Sequence, residues 1–171
     1  KDLSTFDFKN FSVHNFMFRY CFGQIKKCPK GLNPIYRCIN NYIVGPETDL
    51  KDLNVTNWNF DNISLSDSKI NGLYGRVATC PRNNYGYKCI DNYIVGMGSK
   101  LPYNSLLRGK DLTDINFENM DVKHIDFSHT KGRVLQCFKN YDIQNVSTVY
   151  KCFDNYIYGP NIDITGRDLR N

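Results

Sequence analysis

The sequence lacks most features that mark enzymes and membrane proteins. It has only three histidines and one tryptophan, and it contains no G-x-S-x-G, P-loop, G-x-G-x-x-G or H-E-x-x-H motif. None of its apolar runs approaches the roughly 18 residues that a transmembrane helix needs. We therefore expect no membrane span, no cofactor and no enzymatic activity.

The sequence also lacks a concentration of charge of one sign. Its formal net charge is +5, and its 22 lysines and arginines are scattered along the chain. A nucleic-acid surface needs such residues clustered on one face, so we expect no nucleic-acid partner. Asn, Lys, Ile, Tyr and Phe are abundant, which is typical of proteins from AT-rich genomes.

What the sequence does contain is repetition with a period of five. Residues 110–130 read KDLTDINFENMDVKHIDFSHT, with Leu112, Phe117, Val122 and Phe127 at the central position. A helix requires apolar residues at i, i+3, i+4 and i+7, and an ordinary strand requires alternation. Here an apolar–polar–apolar triplet is followed by two polar residues, which predicts very short strands joined by regular corners. Stacking such runs gives an all-β fold, a short β-solenoid with an apolar interior.

The repeat resembles that of the pentapeptide-repeat proteins, and it appears here in forms such as INFEN, MDVKH, LNVTN and WNFDN. The resemblance implies a right-handed quadrilateral β-helix with four pentapeptides per coil. One feature departs from the family, because bulky residues stand two places before the centre, where the family favours small ones. A widened coil, an open coil or capping by the connectors would each accommodate them. These bulky residues are Phe6, Phe11, Phe16, Trp58, Ile63, Met120 and Ile125.

Three pentapeptide runs alternate with three connectors. Together they predict a single repeat domain, 1–171, with modules at about 1–48, 49–110 and 111–171. Each connector has two β-rich segments on either side of a polar loop, as in GQIKKCPK and YRCINNYIVGP, and ends in Tyr-Ile-Val-Gly or Tyr-Ile-Tyr-Gly. We expect the two segments to form a hairpin around that loop or, alternatively, two longer strands that lean on the coil. The chain starts and stops in phase with the repeat, so we expect it to be part of a longer array.

Six of the seven cysteines occupy matching positions, two in each connector. Each pair brackets a loop of different length, which favours local disulfides that close the hairpins and contribute about 2–3 kcal/mol each. The alternative is six buried thiols that pack as small apolar side chains. Zinc is not expected, because no pair has C-x2-C spacing and no histidine adjoins them. Cys21 is left over and is expected in the core, with pairing to another chain as the alternative. The predicted disulfides are Cys28–Cys38, Cys80–Cys89 and Cys137–Cys152.

Disulfides indicate an oxidising setting, either a virion or the extracellular space. Four N-x-S/T triplets are candidate glycosylation sites in an extracellular protein, although an Asn-rich chain also produces such triplets by chance. The candidate sites are Asn10, Asn54, Asn62 and Asn145.

The other residues that could take part in catalysis or ligand binding have structural explanations. His14, His124 and His129 fall at or near predicted outward corners, where they would be solvated. An Asp or Asn before the central residue, such as Asp121 or Asp126, can hydrogen-bond the backbone at a corner. Tyrosines recur in phase in the connectors, where they fit half-buried strands or, alternatively, a glycan or protein interface.

These features favour a non-enzymatic structural or interaction scaffold. Its partners would be other proteins or copies of itself, bound through the solenoid ends or the Tyr-rich connectors, because open ends expose unpaired strand edges. A component of a large assembly, such as a giant-virus capsid or virion, fits the composition and the paired cysteines. The alternative is a secreted or surface module that binds a glycan or protein. The family resemblance also implies DNA mimicry toward topoisomerases, but that role needs a strongly acidic rod and the net charge is +5.

Overall fold

A computed structural model describes residues 1–82, 85–102, 107–139 and 149–165. Within these ranges the chain contains six strands of three residues each and no helix, so the predicted all-β class is confirmed. The strands form three separate antiparallel hairpins, one in each connector. They are β1 (Arg37–Ile39) with β2 (Tyr42–Val44), β3 (Lys88–Ile90) with β4 (Tyr93–Val95), and β5 (Lys151–Phe153) with β6 (Tyr156–Tyr158).

Each hairpin turns on two residues in the left-handed conformation. In the first hairpin these are Asn40 and Asn41, with φ values of 48° and 64°. The same conformation occurs at Asp91–Asn92 and at Asp154–Asn155. Two successive positive φ values are what a type I′ turn requires, and Asn and Asp adopt them more readily than most residues. The short polar pair in each connector is therefore the local cause of its hairpin. The expected position of the hairpin was wrong, because both strands lie after the loop that the cysteines bracket, on either side of the polar pair.

Outside the hairpins, the described residues form nine isolated parallel bridges, and six of these join residues twenty positions apart. Ser12–Lys30 and Ser64–Arg82 span 18 residues, and Gly86–Ile115 spans 29. Asp49 pairs with Lys69, and Asn54 pairs with Tyr74. The backbone N–H of Leu50 donates to the Lys69 carbonyl at 2.9 Å, which shows a regular hydrogen bond at such a bridge. A spacing of twenty residues equals four pentapeptides, and it places each pentapeptide run beside the beginning of the connector that follows it. The same spacing occurs at Asp2–Phe22, Asn59–Thr79, Asp111–Lys131 and Asn116–Gln136.

Asp and Asn side chains stabilise the corners between the short extended segments. The Oδ1 atom of Asp121 accepts a hydrogen bond from the Lys123 N–H at 3.2 Å, and Asp126 accepts one from Ser128 at 2.8 Å. The predicted structural role of these aspartates is therefore confirmed. The same bond, from the N–H two residues later, occurs at Asp2, Asp7, Asp49, Asn54, Asn59, Asp111 and Asn116.

The core consists of three hydrophobic clusters that follow one another along the chain. Their boundaries fall between adjacent residues of a hairpin strand. Ile43 belongs to the first cluster and Val44 to the second, while Ile94 belongs to the second and Val95 to the third. Successive strand residues point to opposite faces. Each of these two hairpins therefore packs one face on its own module and the other face on the next module.

The bulky residues two places before the centre are buried where a hairpin precedes them. Trp58 is 5% exposed and packs against the ring of Tyr42 from the first hairpin. Met120 is buried in the cluster that includes Val95 of the second hairpin. The preceding connector therefore covers the bulky side chains at these two positions. Capping by the connectors was one of the three expected ways of accommodating them, beside a widened coil and an open coil.

Candidate interaction surface

The structure joins the six matching cysteines as Cys28–Cys38, Cys80–Cys89 and Cys137–Cys152, with Cα atoms 5.9, 5.8 and 5.5 Å apart. These Cα separations are ordinary for disulfides. Each bond ties the beginning of a connector to the first strand of its hairpin. Three such bonds are consistent with an oxidising environment.

Cys21, the remaining cysteine, is a buried free thiol in the first cluster. Its Sγ atom lies 3.7 Å from the Arg19 carbonyl oxygen, which accepts its weak hydrogen bond. Burial raises the pKa of the Cys21 thiol, against the smaller opposing effects of the N-terminal amine and Lys1. A protonated, packed thiol is a poor nucleophile, which agrees with the expected place of Cys21 in the core.

Three of the four candidate glycosylation sites, Asn10, Asn54 and Asn62, are exposed. Asn145 lies outside the described residues. The Oδ1 atom of Asn54 accepts hydrogen bonds from the N–H and hydroxyl of Thr56, at 3.0 and 2.6 Å. An N-linked glycan is attached through Nδ2, so this corner bond does not occupy the atom that a glycan would modify.

The three histidines are exposed and have different surroundings. His14 lies beside Gly31, His124 lines a groove, and the backbone N–H of His129 donates to the Asn161 carbonyl. Within the described ranges, no three His, Cys, Asp or Glu side chains come together as a metal-binding group. Those ranges also include no helix with the length and apolarity to cross a bilayer.

The groove beside His124 has a volume of about 510 Å³ and is lined by residues of the second and third modules. Its lining includes charges of both signs, and Lys100 Nζ lies 3.5 Å from Asp52 Oδ1. The buried hydroxyl of Ser99, which also lines it, accepts a hydrogen bond from the Gly96 N–H. These side chains already interact with other groups of the protein. The lining, which carries charges of both signs, does not favour one chemical class of ligand.

The tyrosine two residues before the second paired cysteine of each connector serves the core. Tyr36 packs edge-on against Phe18, with ring centroids 5.5 Å apart. The Tyr87 hydroxyl accepts the Leu65 N–H at 2.9 Å and donates to the Arg82 carbonyl at 2.8 Å. The Tyr150 hydroxyl donates to Asp126 Oδ1 at 2.9 Å. These contacts favour the packing role over a glycan interface for these three tyrosines.

Comparison with family models, curated proteins and solved structures found no match to this chain. We therefore assign an interaction surface from the exposed side chains of the chain itself.

Large apolar side chains are exposed at the first pentapeptide run. Phe6, Phe11 and Phe16 are 53%, 64% and 60% exposed, and we call these three residues the N-terminal face. They occupy the positions at which Trp58 and Met120 are buried in the later runs. Exposed aromatic groups of this kind mark interaction sites more often than isolated surface side chains do.

A second aromatic group lies on the last hairpin. Phe153, Tyr156 and Tyr158 belong to β5 and β6, and we call them the C-terminal face. Phe153 is 62% exposed, and the two tyrosines are half-buried. The sequence analysis considered the connector tyrosines as an interface but did not single out Phe153 and Tyr158, although a signal for them was present. The connectors read YRCINNYIV and YKCIDNYIV in the first two modules but YKCFDNYIY in the third, which has Phe and Tyr where the others have Ile and Val.

Proposed function

We propose that this chain is a non-enzymatic structural and interaction scaffold whose pentapeptide runs form a short β-solenoid of the pentapeptide-repeat type. The observation that carries the proposal is the series of parallel bridges at intervals of twenty residues. This interval is the length of a coil that contains four pentapeptides. The central residues Val55, Phe60 and Leu65 are buried, which supports an apolar coil interior.

The contacts between modules support a scaffold role. Val44 and Tyr42 of the first hairpin pack on the second cluster, and Val95 and Tyr93 of the second hairpin pack on the third cluster. Since neighbouring modules share core residues, each junction resists bending and rotation. A repeat array held in this way offers a rigid surface along its sides and at its ends.

The setting we propose is a large assembly, such as a giant-virus capsid or virion. The three disulfides support an assembly that is oxidised or becomes so. A secreted or surface module for a protein or glycan ligand is the second candidate, and the exposure of Asn10, Asn54 and Asn62 favours it. A DNA-mimic role is disfavoured by the net charge of +5.

The first test is peptide mapping by mass spectrometry on protein isolated from its natural source, unreduced and reduced. The same extract should be fractionated by sedimentation without reductant. The assembly proposal expects three local disulfides, unmodified asparagines and sedimentation with large particles. Glycans on Asn10, Asn54 or Asn62 in a slowly sedimenting protein would instead establish the secreted module. Six free thiols in such a fraction would contradict both.

A further inference from the structure

We infer that the first connector binds a sulfated polysaccharide through four cationic side chains. These are Lys26, Lys27, Lys30 and Arg37, and we call them the basic cluster. The inference goes beyond the scaffold role, because it assigns a ligand class and a binding site that a scaffold does not require. It rests on the charges and contacts of a connector that lies between the first and second pentapeptide runs.

The first connector belongs to the most basic stretch of the sequence. Between Asp7 and Glu47 the chain contains six lysines and arginines and no aspartate or glutamate. Lysines and arginines are scattered over the chain as a whole, but here no carboxylates are interspersed with them. Residues 26–30 read KKCPK, and short lysine-rich segments of this kind are typical of binding sites for heparin-like polysaccharides and other polyanions.

The disulfide of the first connector brings the two parts of the basic cluster together. Lys27 and Arg37 directly precede the bonded cysteines, Cys28 and Cys38, whose Cα atoms are 5.9 Å apart. The guanidinium-bearing strand is thus covalently tied to the lysine-rich segment. A cluster that is fixed before it meets its ligand loses less conformational entropy on binding.

The first pentapeptide run holds the two ends of the lysine-rich segment. The backbone N–H of Lys26 donates to the Phe6 carbonyl at 3.4 Å. Lys30 forms a parallel bridge with Ser12, and its carbonyl accepts the Val13 N–H at 3.3 Å. These contacts use backbone atoms, so they position the segment and leave its ammonium groups free to contact a ligand.

None of the four cations forms an ion pair with any residue that the structure describes. The three lysines are exposed and Arg37 is half-buried. Asp7, which follows Phe6 in the neighbouring run, accepts the Lys9 N–H through its Oδ1 atom at 2.9 Å. The positive charge of the basic cluster therefore faces solvent without a compensating carboxylate in contact with it.

Lysines of the second module are in a different situation, because carboxylates of the protein itself neutralise them. The ion pairs are Lys69–Asp49, Lys100–Asp52 and Lys110–Asp91, with N–O distances of 3.6, 3.5 and 3.1 Å. These lysines supply a comparison in which the same charge is already compensated.

The repeat itself does not require cations where the basic cluster has them. At the positions of Lys26 and Lys27 the second connector has Ala78 and Thr79, and the third has Leu135 and Gln136. All three connectors nevertheless form the same disulfide-linked hairpin. The two lysines are therefore not explained by folding, which favours a role in binding.

The class of ligand follows from the charged groups and from the disulfides. A lysine ammonium is a compact point charge that suits sulfate groups repeated along a polymer. The three disulfides are consistent with an oxidising environment. In extracellular environments of this kind the abundant polyanions are sulfated polysaccharides. Nucleic acids are mainly intracellular, and they serve as the competing polyanion in the test.

The test compares two triple variants of the whole chain that lose the same charge. The cluster variant carries Lys26→Gln, Lys27→Gln and Lys30→Gln. The control variant carries Lys69→Gln, Lys100→Gln and Lys110→Gln, which removes the ion-paired lysines of the second module.

Circular dichroism and unreduced peptide mapping should first establish that both variants are folded with three disulfides. Substitutions of this kind on the surface change stability little. If either triple variant does not fold, the double variants at positions 27 and 30 and at positions 69 and 100 replace the pair.

Isothermal titration with a heparin oligosaccharide of defined length, at about 0.15 M salt, measures the binding. The unmodified chain and the control variant should bind with similar affinity. The cluster variant should bind at least about tenfold more weakly, because three charge contacts are lost. The same oligosaccharide without its sulfates should not bind measurably, and single-stranded DNA of equal charge should bind more weakly than heparin.

Three results overturn the inference. The first is a folded, unmodified chain that does not bind the heparin oligosaccharide. The second is an equal loss of affinity in the two variants, which would show attraction by net charge without a site. The third is DNA that binds as tightly as heparin or more tightly, which would exclude a preference for sulfated polysaccharide. The scaffold proposal is tested separately by disulfide mapping and sedimentation, so its failure and the failure of this inference are distinguishable.

Discussion

The ring of Tyr42 packs on the indole of Trp58 with their centroids 5.5 Å apart. Tyr42 belongs to the first hairpin and Trp58 to the second pentapeptide run, so the contact crosses a module junction. Trp58 is 5% exposed as a result. The junction is thus a part of the core, and its side chains should contribute to folding as core residues do.

Trp58→Ala should lower the free energy of unfolding by about 3–5 kcal/mol, because it leaves a cavity in a packed junction. Phe11→Ala is the matched control at the same repeat position. Since Phe11 is exposed in the single chain, its truncation should change stability by less than about 0.5 kcal/mol. Urea denaturation of dilute protein measures both values. Equal losses for the two variants would contradict the capping of Trp58 by Tyr42.

Removing any one disulfide should destabilise the chain by about 2.5–3 kcal/mol. The bonded cysteines are separated by 10, 9 and 15 residues, and loop-closure entropy varies little over that range. Paired Cys→Ala variants should therefore lose similar amounts, as measured by urea denaturation without reductant. Reductant should destabilise the unmodified chain and have no effect on a variant that lacks all six. A reductant-insensitive wild type would contradict the bonds.

Tyr87→Phe should destabilise the chain by about 1–3 kcal/mol, because it leaves the buried Leu65 N–H without its acceptor. Tyr36→Phe is the matched control in the first connector. The Tyr36 hydroxyl is buried and makes no hydrogen bond of normal geometry within the described part of the chain. Its removal should be neutral or slightly stabilising. Thermal unfolding of the two variants measures the difference, and a larger loss for Tyr36→Phe would contradict it.

Asp111→Asn should make the free energy of unfolding fall less steeply as the pH becomes acidic, and it should change that free energy little near neutral pH. Hydrogen bonds from the Thr113 hydroxyl and N–H hold the pKa of Asp111 below its usual value. Stability from a lowered pKa is complete above the unfolded value, about 3.9, and is lost as pH falls through the folded value. Asparagine keeps the acceptor, as Asn54 does with Thr56.

Urea denaturation from about pH 6 to about pH 2 tests this prediction. The free energy of unfolding should fall less steeply for Asp111→Asn than for the unmodified chain at the acid end. Parallel curves would mean that Asp111 has no linkage to folding. A large loss at neutral pH would show that the Lys88–Asp111 ion pair, 3.7 Å long and partly exposed, matters more than expected.

Gly132→Ala should destabilise the chain more than Gly109→Ala. Both glycines have positive φ, +98° and +71°, so both substitutions carry a backbone cost of about 1–2 kcal/mol. An added Cβ at Gly132 would lie 2.3 Å from Thr113 Oγ1, whereas nothing lies within 4 Å at Gly109. Thermal unfolding compares the two, and equal losses would show that the corner at Thr113 yields without cost.

The features that could be predicted from the sequence are those that depend on neighbours in the chain. A hairpin in each connector was predicted, but its turn was expected at the longer loop between the cysteines. Polar pairs such as Asn40–Asn41, which adopt the left-handed conformation readily, are the local signal that could have located it. The corner hydrogen bonds of Asp121 and Asp126 span two residues, so the local motif contains both partners. Cysteines that bracket a short loop have few other partners within reach, and the structure joins the pairs that their spacing favoured.

Whether residues at the same repeat position are buried or exposed depended on tertiary structure alone. Phe11 and Trp58 hold the same place in their runs, but Trp58 packs against Tyr42 of the first hairpin and is 5% exposed, whereas Phe11 is 64% exposed. Periodicity specifies which side chains share a face, and it contains no information on what covers that face. Burial is a property of the neighbouring module, because an apolar side chain leaves water only when a second surface packs against it. The local motifs therefore determined the parts of this protein, and the stacking of one module on the next decided which of its aromatic surfaces became core and which remained open.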